Sequence, residues 1–482
     1  MTQYLKLRGK YPRFIYRGYE LEEDDCWLQI TYRFEIEGLS SFAPTWRFPK
    51  AEGRDRSWSG DKLMQDMVFS LGMVELVSYW KIACPPEVVV EAAPLTKAQA
   101  EWWKDLYFNG LGEFFYVNHI TEAEPTGFMD IEAIGPQDGE DGRAAQNVVL
   151  GMRPDVGQDA VRNTQDSGTG VAGVLVPIGG GKDSAVTLEL LRRAGEPIFA
   201  YIINPRGATI HTTEVAGLDT AHVISVRRTL DSNMLELNRK GYLNGHTPFS
   251  ALVAFSSIIA ARMQGLSWVA LSNESSANES TVQGSTVNHQ YSKSFKFEQD
   301  FHWYQTKYLP GSACYFSMLR PLSEFQIAGY FAGQKQYHGI FRSCNAGSKT
   351  DSWCGHCPKC LFVYVILSPF LPAVEVEAIF GRYMLADEAM RGTLDQLIGI
   401  AEEKPFECVG SRDEINTALV LAVDQMEERK EPLPCLLSYY KGTGLYGKYK
   451  AMGDRYSSYF DEENLVPAPW AELVKRSCTA DL

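Results

Sequence analysis

The sequence predicts an α/β protein with a doubly wound parallel sheet, preceded by an α+β region and followed by a helical one. A continuous apolar run, Val171–Ile178, ends in three glycines. This is expected of a strand that is buried on both faces of a parallel sheet and turns tightly into a helix. Further strand-like runs then alternate with helix-like runs, which is the pattern of a sheet with helices on both faces.

The length of the chain indicates more than one structural region. Its 482 residues exceed one ordinary hydrophobic core, and 45% hydrophobic with 22% charged residues is a globular composition. Residues 134–170 lose hydrophobic periodicity and are rich in Gly, Pro, Asp, Asn and Gln, so we expect a linker there. We therefore expect an N-terminal domain and linker over residues 1–165, the α/β domain over 166–372 and a helical region over 373–482.

Charge and apolar patterning argue against some classes of function. Sixty acidic and 46 basic side chains give a net charge of −14, which disfavours nucleic acid as the main partner because phosphate contacts need a basic surface. No apolar run reaches the roughly 18 residues of a membrane-spanning helix. The N-terminus lacks the apolar core of a signal peptide. We therefore expect a cytoplasmic protein with no nucleic-acid partner and no membrane segment.

Residues 1 to about 130 mix short strands with helices. The segments Cys26–Ile36 and Thr45–Phe48 are rich in aromatic and β-branched side chains, which is typical of strands. Residues 62–80 carry apolar side chains at helical spacing. A second helix is expected to begin after Thr96, a good N-cap residue, and to end near Gly110.

The remaining elements are marked by strand composition and by residues that favour helix ends. Gly195 and Gly265 follow helical segments at the position where a left-handed cap is common. Thr247 is the expected N-cap of one helix, and Ser411 with Glu414 fits a capping box. The strands so predicted are Ile198–Ile203, His222–Val226 and Trp268–Ser272. The helices are Asp183–Ala194, Pro248–Gln264 and one that opens at the Ser411 capping box and runs through Asn416–Met426.

The strongest functional signal is the segment Gly179–Ser184, which joins the first of these strands to a helix. Glycines let an anion approach the backbone, and a helix N-terminus offers unpaired N–H groups and a positive dipole end. Lys182 adds a cation and Ser184 a hydroxyl donor, whereas Asp183 repels phosphate unless a magnesium ion lies between them. The spacing is neither that of a Walker A loop nor that of the dinucleotide fingerprint. We expect phosphate binding, the alternative being a tight turn without a ligand.

Polar residues after other strands extend this candidate site. Ligands of open α/β sheets bind beyond the carboxyl ends of the strands. Asn273 and Glu274 follow the fourth predicted strand, where polar residues also occur in plain turns. The expected nucleotide-binding residues are Gly179, Gly180, Gly181, Lys182, Asp183, Ser184, Asn273 and Glu274.

Four of the ten cysteines crowd into residues 344–360. They are Cys344, Cys354, Cys357 and Cys360. In a cytoplasmic chain such clustering indicates a metal rather than disulfides. Four thiolates satisfy tetrahedral zinc, and a closed four-thiolate zinc site is structural. An iron–sulfur cluster uses similar spacings and is the first alternative, and buried reduced cysteines are the second.

Several of these motifs resemble known families. The glycine loop is similar to the PP-loop of the ATP pyrophosphatases, usually Ser-Gly-Gly-x-Asp-Ser, except that Gly179 stands in place of the first serine. Longer stretches resemble the MurL family of bacterial UDP-N-acetyl-α-D-muramoyl-L-alanyl-L-glutamate epimerases. These stretches are PIGGGKDSAVTLELL, NGHTPFSALVAF, LSNESSANEST, NHQYSKSFKFE, WCGHCPKCLFVY and KPFECVGSRDE.

The resemblance implies a PP-loop, HUP-like fold and an ATP-dependent epimerase of peptidoglycan precursor synthesis. In that family the terminal L-glutamate of UDP-MurNAc-L-Ala-L-Glu is inverted to D-glutamate through an adenylated carboxylate, with release of AMP and diphosphate. The implied cofactors are ATP, Mg²⁺ and a structural Zn²⁺, and the implied partner is the UDP-MurNAc-dipeptide substrate.

The residue that moves the α-proton has several candidates. The expected catalytic residues are Lys182, Asp183, His289 and Lys296, and further candidates for the base are His246, Tyr291 and Lys293. Each of these side chains is also suited to bind phosphate or carboxylate without taking part in proton transfer. Arg320 and Arg342 are expected either to bind the substrate's carboxylate or diphosphate or to form surface ion pairs.

Two other functions are compatible with the same motifs. One is another PP-loop activity, similar to that of the cyano-deazaguanine synthases or the tRNA-thiolating enzymes, against which the large N-terminal region and the acidic charge argue. The other is a nucleotide-binding module without turnover, against which the intact Lys182, Asp183 and Ser184 argue.

Overall fold

A mixed sheet organises the part of the chain that the structure describes. The computed structural model describes residues 1–51, 56–132 and 172–478. The strands are β1 (Arg13–Glu23), β2 (Trp27–Ile36), β3 (Ser40–Phe42), β4 (Thr45–Pro49), β5 (Glu87–Val90), β6 (Asp130–Glu132), β7 (Val174–Pro177), β8 (Ile198–Ile203), β9 (Val223–Arg228), β10 (Trp268–Leu271) and β11 (Cys314–Ser317). Their order across the sheet is β11, β10, β7, β8, β9, β4, β2, β1, β5 and β6, with β3 paired to β2.

Helices flank this sheet and make up the C-terminal part of the chain. They are α1 (Gln3–Lys10), α2 (Lys62–Trp80), α3 (Lys97–Gly110), α4 (Gly112–Val117), α5 (Lys182–Arg193), α6 (Gly207–Val215), α7 (Ser232–Arg239), α8 (Phe249–Gln264), α9 (Phe295–Tyr308), α10 (Glu324–Ala332), α11 (Pro358–Leu367), α12 (Ala373–Phe380), α13 (Arg391–Ile398), α14 (Arg412–Glu428), α15 (Cys435–Gly442), α16 (Leu445–Met452) and α17 (Ala468–Cys478). Thr96 caps α3 as predicted, and Gln99 completes a capping box there.

The five strands of the α/β region are parallel and follow a doubly wound order. β7 lies in the middle, β8 and β9 lie on one side, and β10 and β11 lie on the other. Val174 and Val176 of β7 pack in one core with α5, whereas Leu175 packs in a second core with α8. Helices therefore cover both faces, and the predicted α/β class with a largely parallel sheet is confirmed. The order reverses between β7 and β10, where such sheets bind ligands.

Most predicted bounds in this region agree with the structure to within about two residues, and one predicted cap is wrong. β8 has the predicted bounds, and Gly265 ends α8 in the left-handed conformation with a φ of 71°. The capping role predicted for Thr247 is wrong. Pro248, with a ψ of 75°, occupies the N-cap position, so that the helix begins at Phe249 and Thr247 lies one residue too far from it. The predicted linker at residues 134–170 lies outside the described residues.

The N-terminal strands continue the same sheet in the antiparallel sense. β4 pairs with β9 through Trp46 and Arg228. Beside that junction the buried carboxylate of Glu75 accepts hydrogen bonds from Trp46 Nε1 at 3.0 Å and from Arg228 at 2.7 Å. A buried charge needs such partners, so this contact favours the observed pairing of β4 with β9. The three-part division of the chain stays a prediction, and the structure adds that its first two parts share one sheet.

The C-terminal part is helical, as predicted, and reaches the α/β region. Ser411 and Glu414 form the predicted capping box at the start of α14. The carboxylate of Glu414 also accepts a hydrogen bond from the backbone N–H of Glu324, at 2.6 Å, at the start of α10. Among the described residues, none of the helices combines the length and the apolar character that crossing a bilayer requires.

Candidate active site

The glycine loop forms a turn between β7 and α5 that suits an anion. Gly180 has a φ of +81°, which residues with a side chain rarely adopt, and a Cβ there would lie 2.9 Å from the Cβ of Ala208. Gly181 is the N-cap of α5 and places no side-chain acceptor on the first N–H groups of the helix. The hydroxyl of Ser184 donates to the Gly181 carbonyl at 3.0 Å. The first turn of α5 therefore keeps backbone donors for a ligand.

Three carboxylates converge beside this loop. Asp183 lies in the first turn of α5, Glu274 follows β10, and Glu324 begins α10. One oxygen from each lies within 4.8 Å of the others, and the ammonium of Lys182 donates to both Asp183 and Glu324. One buried oxygen of Glu274 has no hydrogen-bond partner among the described residues. Such a set of oxygen ligands fits a hard divalent cation such as Mg²⁺.

Burial and neighbouring charges shift the pKa values of this cluster. Burial raises the pKa of Asp183, but nearby ammonium groups, led by that of Lys182, lower it by more. Burial lowers the pKa of Lys182, but the charges of Asp183 and Glu324 raise it by more. The ammonium of Lys182 therefore stays charged. Burial raises the pKa of Glu324 to about 8, although Lys182 opposes the change. A divalent cation would offset the repulsion among these carboxylates.

A second polar group surrounds His289. Its Nδ1 is hydrogen-bonded to the carboxylate of Glu113, and its ring centroid lies 4.4 Å from that of His246. Burial lowers the pKa of His289, but hydrogen bonds with Cys408 and Glu113 raise it by more, to about 9. Burial and the charge of His289 lower the pKa of His246 to about 4. At neutral pH the pair therefore consists of one imidazolium and one neutral imidazole.

Two lysines join this group to the carboxylates. The ammonium of Lys293 is hydrogen-bonded to Cys408 and interacts electrostatically with Asp183. Lys359 lies within the cysteine motif, donates to the backbone carbonyl of Cys408 and also acts on Asp183. Burial raises the pKa of the Cys408 thiol, but these ammonium groups and the hydrogen bond with His289 lower it by more, to about 6. The two groups therefore form one continuous site.

Some residues predicted for the site lie elsewhere or have other partners. The side chain of Lys296 is 55% exposed and pairs with Asp105 at 2.8 Å and with Asp300 at 2.6 Å. The Tyr291 hydroxyl lies 3.5 Å from the same Asp105 carboxylate, and burial raises its pKa. The structure does not bring these two side chains to the carboxylate cluster through any contact among the described residues. The side-chain amide of Asn273 donates to the Ser317 hydroxyl at 3.0 Å, linking the ends of β10 and β11.

The two arginines hold the segments that carry site residues. Arg320 is fully buried, so the alternative of a surface ion pair is wrong for it. Its guanidinium contacts Glu298 at 3.1 Å and donates to the backbone carbonyls of Glu274 and Lys293. The backbone N–H of Arg342 donates to the carbonyl of the second loop glycine at 2.7 Å. Arg320 therefore supports the site with its side chain, whereas Arg342 contacts the glycine loop through its backbone, and its guanidinium donates to the carbonyls of Phe341 and Gly339.

The four clustered cysteines converge at a spacing that suits one metal ion. Their sulfurs lie within 4.8 Å of one another. Three pairs are 3.7, 3.6 and 3.5 Å apart: Cys344 with Cys357, Cys354 with Cys360, and Cys357 with Cys360. Four sulfurs each about 2.3 Å from a tetrahedral ion lie roughly 3.8 Å apart. An iron–sulfur cluster places several atoms between its thiolates, so this spacing fits a single zinc ion better.

Four residues of the site were not predicted from the sequence: Glu113, Glu324, Lys359 and Cys408. Glu324 begins α10, which follows β11, and neither element was predicted, so the strand-end rule that selected Glu274 did not extend to it. Lys359 and Cys408 lie inside stretches that resemble the MurL family, but neither has a spacing that marks its role. For Glu113, which is 176 residues from its partner His289, the sequence carries no signal.

Comparisons with known proteins cover both halves of the chain. The family model described as the MurL N-terminal domain matches residues 6–318, and that of the MurL C-terminal domain matches residues 340–437. A protein of Xanthomonas oryzae named UDP-N-acetyl-alpha-D-muramoyl-L-alanyl-L-glutamate epimerase is 34% identical over 376 residues, 76% of this chain and 77% of that protein. A protein of the same name from Micromonospora sp. is 33% identical over 75% of this chain and 76% of its own length. No solved structure matches the chain.

Proposed function

The chain belongs to the MurL family and is an epimerase, and we propose that it inverts the terminal L-glutamate of UDP-MurNAc-L-Ala-L-Glu with the consumption of ATP. The relatives' names supply the substrate and the inversion. The observation that carries the use of ATP is the cluster of Asp183, Glu274 and Glu324 beside the glycine loop. Such a combination of backbone donors, a lysine and carboxylates suits a nucleoside triphosphate with its divalent cation.

The residues of the glycine loop and of the carboxylate cluster beside it have separate roles in the proposal. The loop glycines and the first turn of α5 bind the phosphates of ATP, and the ammonium of Lys182 balances their charge. Asp183, Glu274 and Glu324 would hold Mg²⁺, which neutralises charge on the phosphates and on the leaving diphosphate. The unpartnered Glu274 oxygen supports this assignment, because a buried carboxylate oxygen without a partner is costly.

Activation of the carboxyl group explains why an inversion would consume ATP. L- and D-epimers have similar free energies, so the equilibrium does not need it. The obstacle is kinetic, because removing an α-proton beside a carboxylate builds a dianion. In the proposed step a carboxylate oxygen bonds to the α-phosphorus of ATP, and the bond to diphosphate breaks. The resulting mixed anhydride carries less charge and acidifies the C–H bond, and each tenfold gain in rate corresponds to about 1.36 kcal/mol.

After inversion, water releases the product from the adenylate. A water oxygen bonds to the acyl carbon, the bond to AMP breaks, and the D-glutamyl carboxylate and AMP leave. The nucleotide products are therefore AMP and diphosphate. Release of ADP and phosphate would instead indicate an acyl phosphate.

A surface cavity is suited to the larger part of the substrate. It has a volume of about 570 Å³ and lies between α3, α4 and residues 286–287. Gly112 and Val287 line it, and these residues are close in sequence to Glu113 and His289 of the site. Phe108, Phe115 and Tyr116 supply aromatic surface. We assign this cavity to the nucleotide-sugar portion of the substrate.

A zinc ion on the four cysteines has a structural role in the proposal. Cys357 and Cys360 flank the segment with Lys359, whose ammonium acts on both Asp183 and Cys408. Closed four-thiolate sites hold segments in place and offer no open position for chemistry. The zinc would thereby fix the position of Lys359 in the site.

The test of the proposed function is incubation of the protein with ATP, Mg²⁺ and UDP-MurNAc-L-Ala-L-Glu. We expect D-glutamate on chiral analysis of the hydrolysed product, together with AMP and diphosphate. Omitting ATP should abolish the inversion from either epimer, because both directions face the same α-proton barrier. Inversion at full rate without nucleotide, or formation of ADP alone, would overturn the proposal.

A further inference from the structure

Cys408 is the one cysteine among the described residues that the structure pairs with a histidine and a lysine. Its thiol interacts electrostatically with His289 and Lys293, and its backbone carbonyl accepts a hydrogen bond from Lys359. Cys408 is partly exposed, unlike the buried Cys84 and Cys478. Arg320 and Glu113 fix the two partners, since Arg320 binds the Lys293 carbonyl and Glu113 binds the His289 ring.

The charges that face this sulfur are mainly positive. Lys293, His289 and Lys359 act on it directly and lower the pKa of the thiol to about 6, although burial alone raises it. Behind His289 lie Glu113 and His246, and Glu407 is the preceding residue of the chain. An opposite charge at hydrogen-bond distance favours a thiolate at neutral pH, as in known reactive cysteines.

Other cysteines of the same chain show what burial alone does. Cys314 and Cys478 have pKa values raised to about 12, and burial is the largest cause for both. Burial also raises the pKa of Cys84. None of these three is paired with a histidine by any contact among the described residues. The environment of Cys408 is therefore different in kind from that of a packed core cysteine.

We infer that Cys408 is a catalytic acid–base residue, which exchanges the α-proton of the glutamyl residue on one face, with His289 as its positioning partner. This assignment rests on the proposed function. Lys293 places the thiolate next to the ATP end of the site, because its ammonium interacts with Cys408, Glu274 and Asp183 together.

The other titratable groups near Cys408 are less suited to accept the α-proton at neutral pH. His289 carries its proton at neutral pH and has no lone pair to accept another. His246 is neutral, but a group with a pKa of about 4 accepts a proton poorly. Lys293 is held in its charged form by Cys408 and Glu274. Cys408 is the group that combines a lone pair with a pKa near the working pH.

The step is balanced as a proton transfer. The thiolate sulfur forms an S–H bond as the α-C–H bond breaks, and the electron pair moves into the enolate of the activated carboxyl group. A second protonated group on the other face donates a proton to the α-carbon, which completes the inversion, and proton exchange with water then restores the thiolate and the second group. In the reverse direction the Cys408 thiol is the donor. No oxidant or reductant is needed.

The test separates proton transfer from ATP cleavage by using Cys408→Ser in the full-length protein. With ATP, Mg²⁺ and the L-precursor in D₂O, wild type should place deuterium at the glutamyl α-carbon. Cys408→Ser should lose this exchange and the inversion by about 10²–10⁴-fold, the usual contribution of one acid–base group, while still forming AMP and diphosphate. Cys408→Ser inverting within threefold of wild type would overturn the inference. Wild type forming no AMP would overturn the proposed function instead.

Alkylation of the resting protein gives a readout that does not depend on turnover. The rate at which iodoacetamide labels Cys408, followed by peptide mass spectrometry against pH, should have a midpoint near 6, and the exposed Cys26 serves as the comparison within the chain. His289→Gln should raise that midpoint by at least one pH unit, because a cation beside the thiolate is lost. A midpoint for Cys408 near the ordinary thiol value of about 8.5 would overturn the inference even if Cys408→Ser failed to fold.

Discussion

The two ends of the candidate site are built in different ways. The phosphate end comes mainly from one continuous segment, Gly179–Ser184, whose backbone and dipole bind an anion by local geometry. The thiolate end brings Glu113, His289 and Cys408 together from three distant segments. The comparison shows that a short motif suffices to bind phosphate, whereas a thiolate beside an imidazolium requires charges that converge only after folding.

Loss of the predicted zinc should break both ends together and have the largest effect. Cys357→Ala removes one of four thiolates, and structural zinc contributes roughly 10–16 kcal/mol of binding energy in small peptides, part of which is folding energy. We expect lower expression, a lower melting temperature and loss of both AMP formation and deuterium exchange. Elemental analysis should find one zinc per wild-type chain, and Cys26→Ser is the control that should keep it. Protein with neither zinc nor iron, and with normal activity, would contradict this prediction.

Asp183→Asn should disable the phosphate end and leave the thiolate end chemically intact. Removing one charged ligand of the proposed cation is expected to lower diphosphate release by at least about 100-fold, the scale seen when one electrostatic group is deleted. The alkylation midpoint of Cys408 should move by much less than in His289→Gln. Asp66→Asn, which breaks an exposed pair with Lys62, is the matched control and should leave turnover unchanged. Unchanged turnover in Asp183→Asn would remove Asp183 from the site.

The pH dependence of α-proton exchange should report the thiolate end alone. The pKa of Cys408 is lowered to about 6, so exchange should fall tenfold per pH unit below 6 as the thiolate gains a proton. The pKa of His289 is raised to about 9, so the imidazolium persists until about pH 9 and exchange should decline above it. His289→Gln should reduce exchange by about 100-fold and shift the fall of exchange on the acidic side of the profile, the acid limb, to higher pH. An acid limb that stays near 6 in this variant would show that His289 does not act on the thiolate.

Thr96→Ala should change stability without affecting either end, and its effect is the smallest. Thr96 caps α3 and shares a capping box with Gln99, and loss of such a cap costs about 1 kcal/mol. The melting temperature should fall by a few degrees, while AMP formation and deuterium exchange stay as in wild type. This variant shows whether activity losses elsewhere exceed what mild destabilisation produces. A large loss of activity in Thr96→Ala would weaken the other comparisons.

Much of the α/β region was predictable because its signals are local. The apolar runs of buried parallel strands, the glycines and the capping residues each act within a few positions of the chain, and β8 and the end of α8 lie where predicted. The N-terminal strand β1 was not predicted, since its half-exposed polar residues give a weak pattern and its partners lie elsewhere in the sheet. Thr247 failed as a cap because one backbone angle at Pro248 moved the helix start by one residue.

The sequence by itself determined the fold class, the glycine loop, the four cysteines and the resemblance to the MurL family. Each of these depends on residues close together in the chain. Only the tertiary structure decided which polar side chains meet. In the folded protein Glu324 lies near Asp183, and Lys296 forms an exposed ion pair with Asp105. Cys408 interacts with both His289 and Lys293. Charge and pKa depend on burial and on neighbours in space, and these neighbours are set by packing rather than by spacing along the chain.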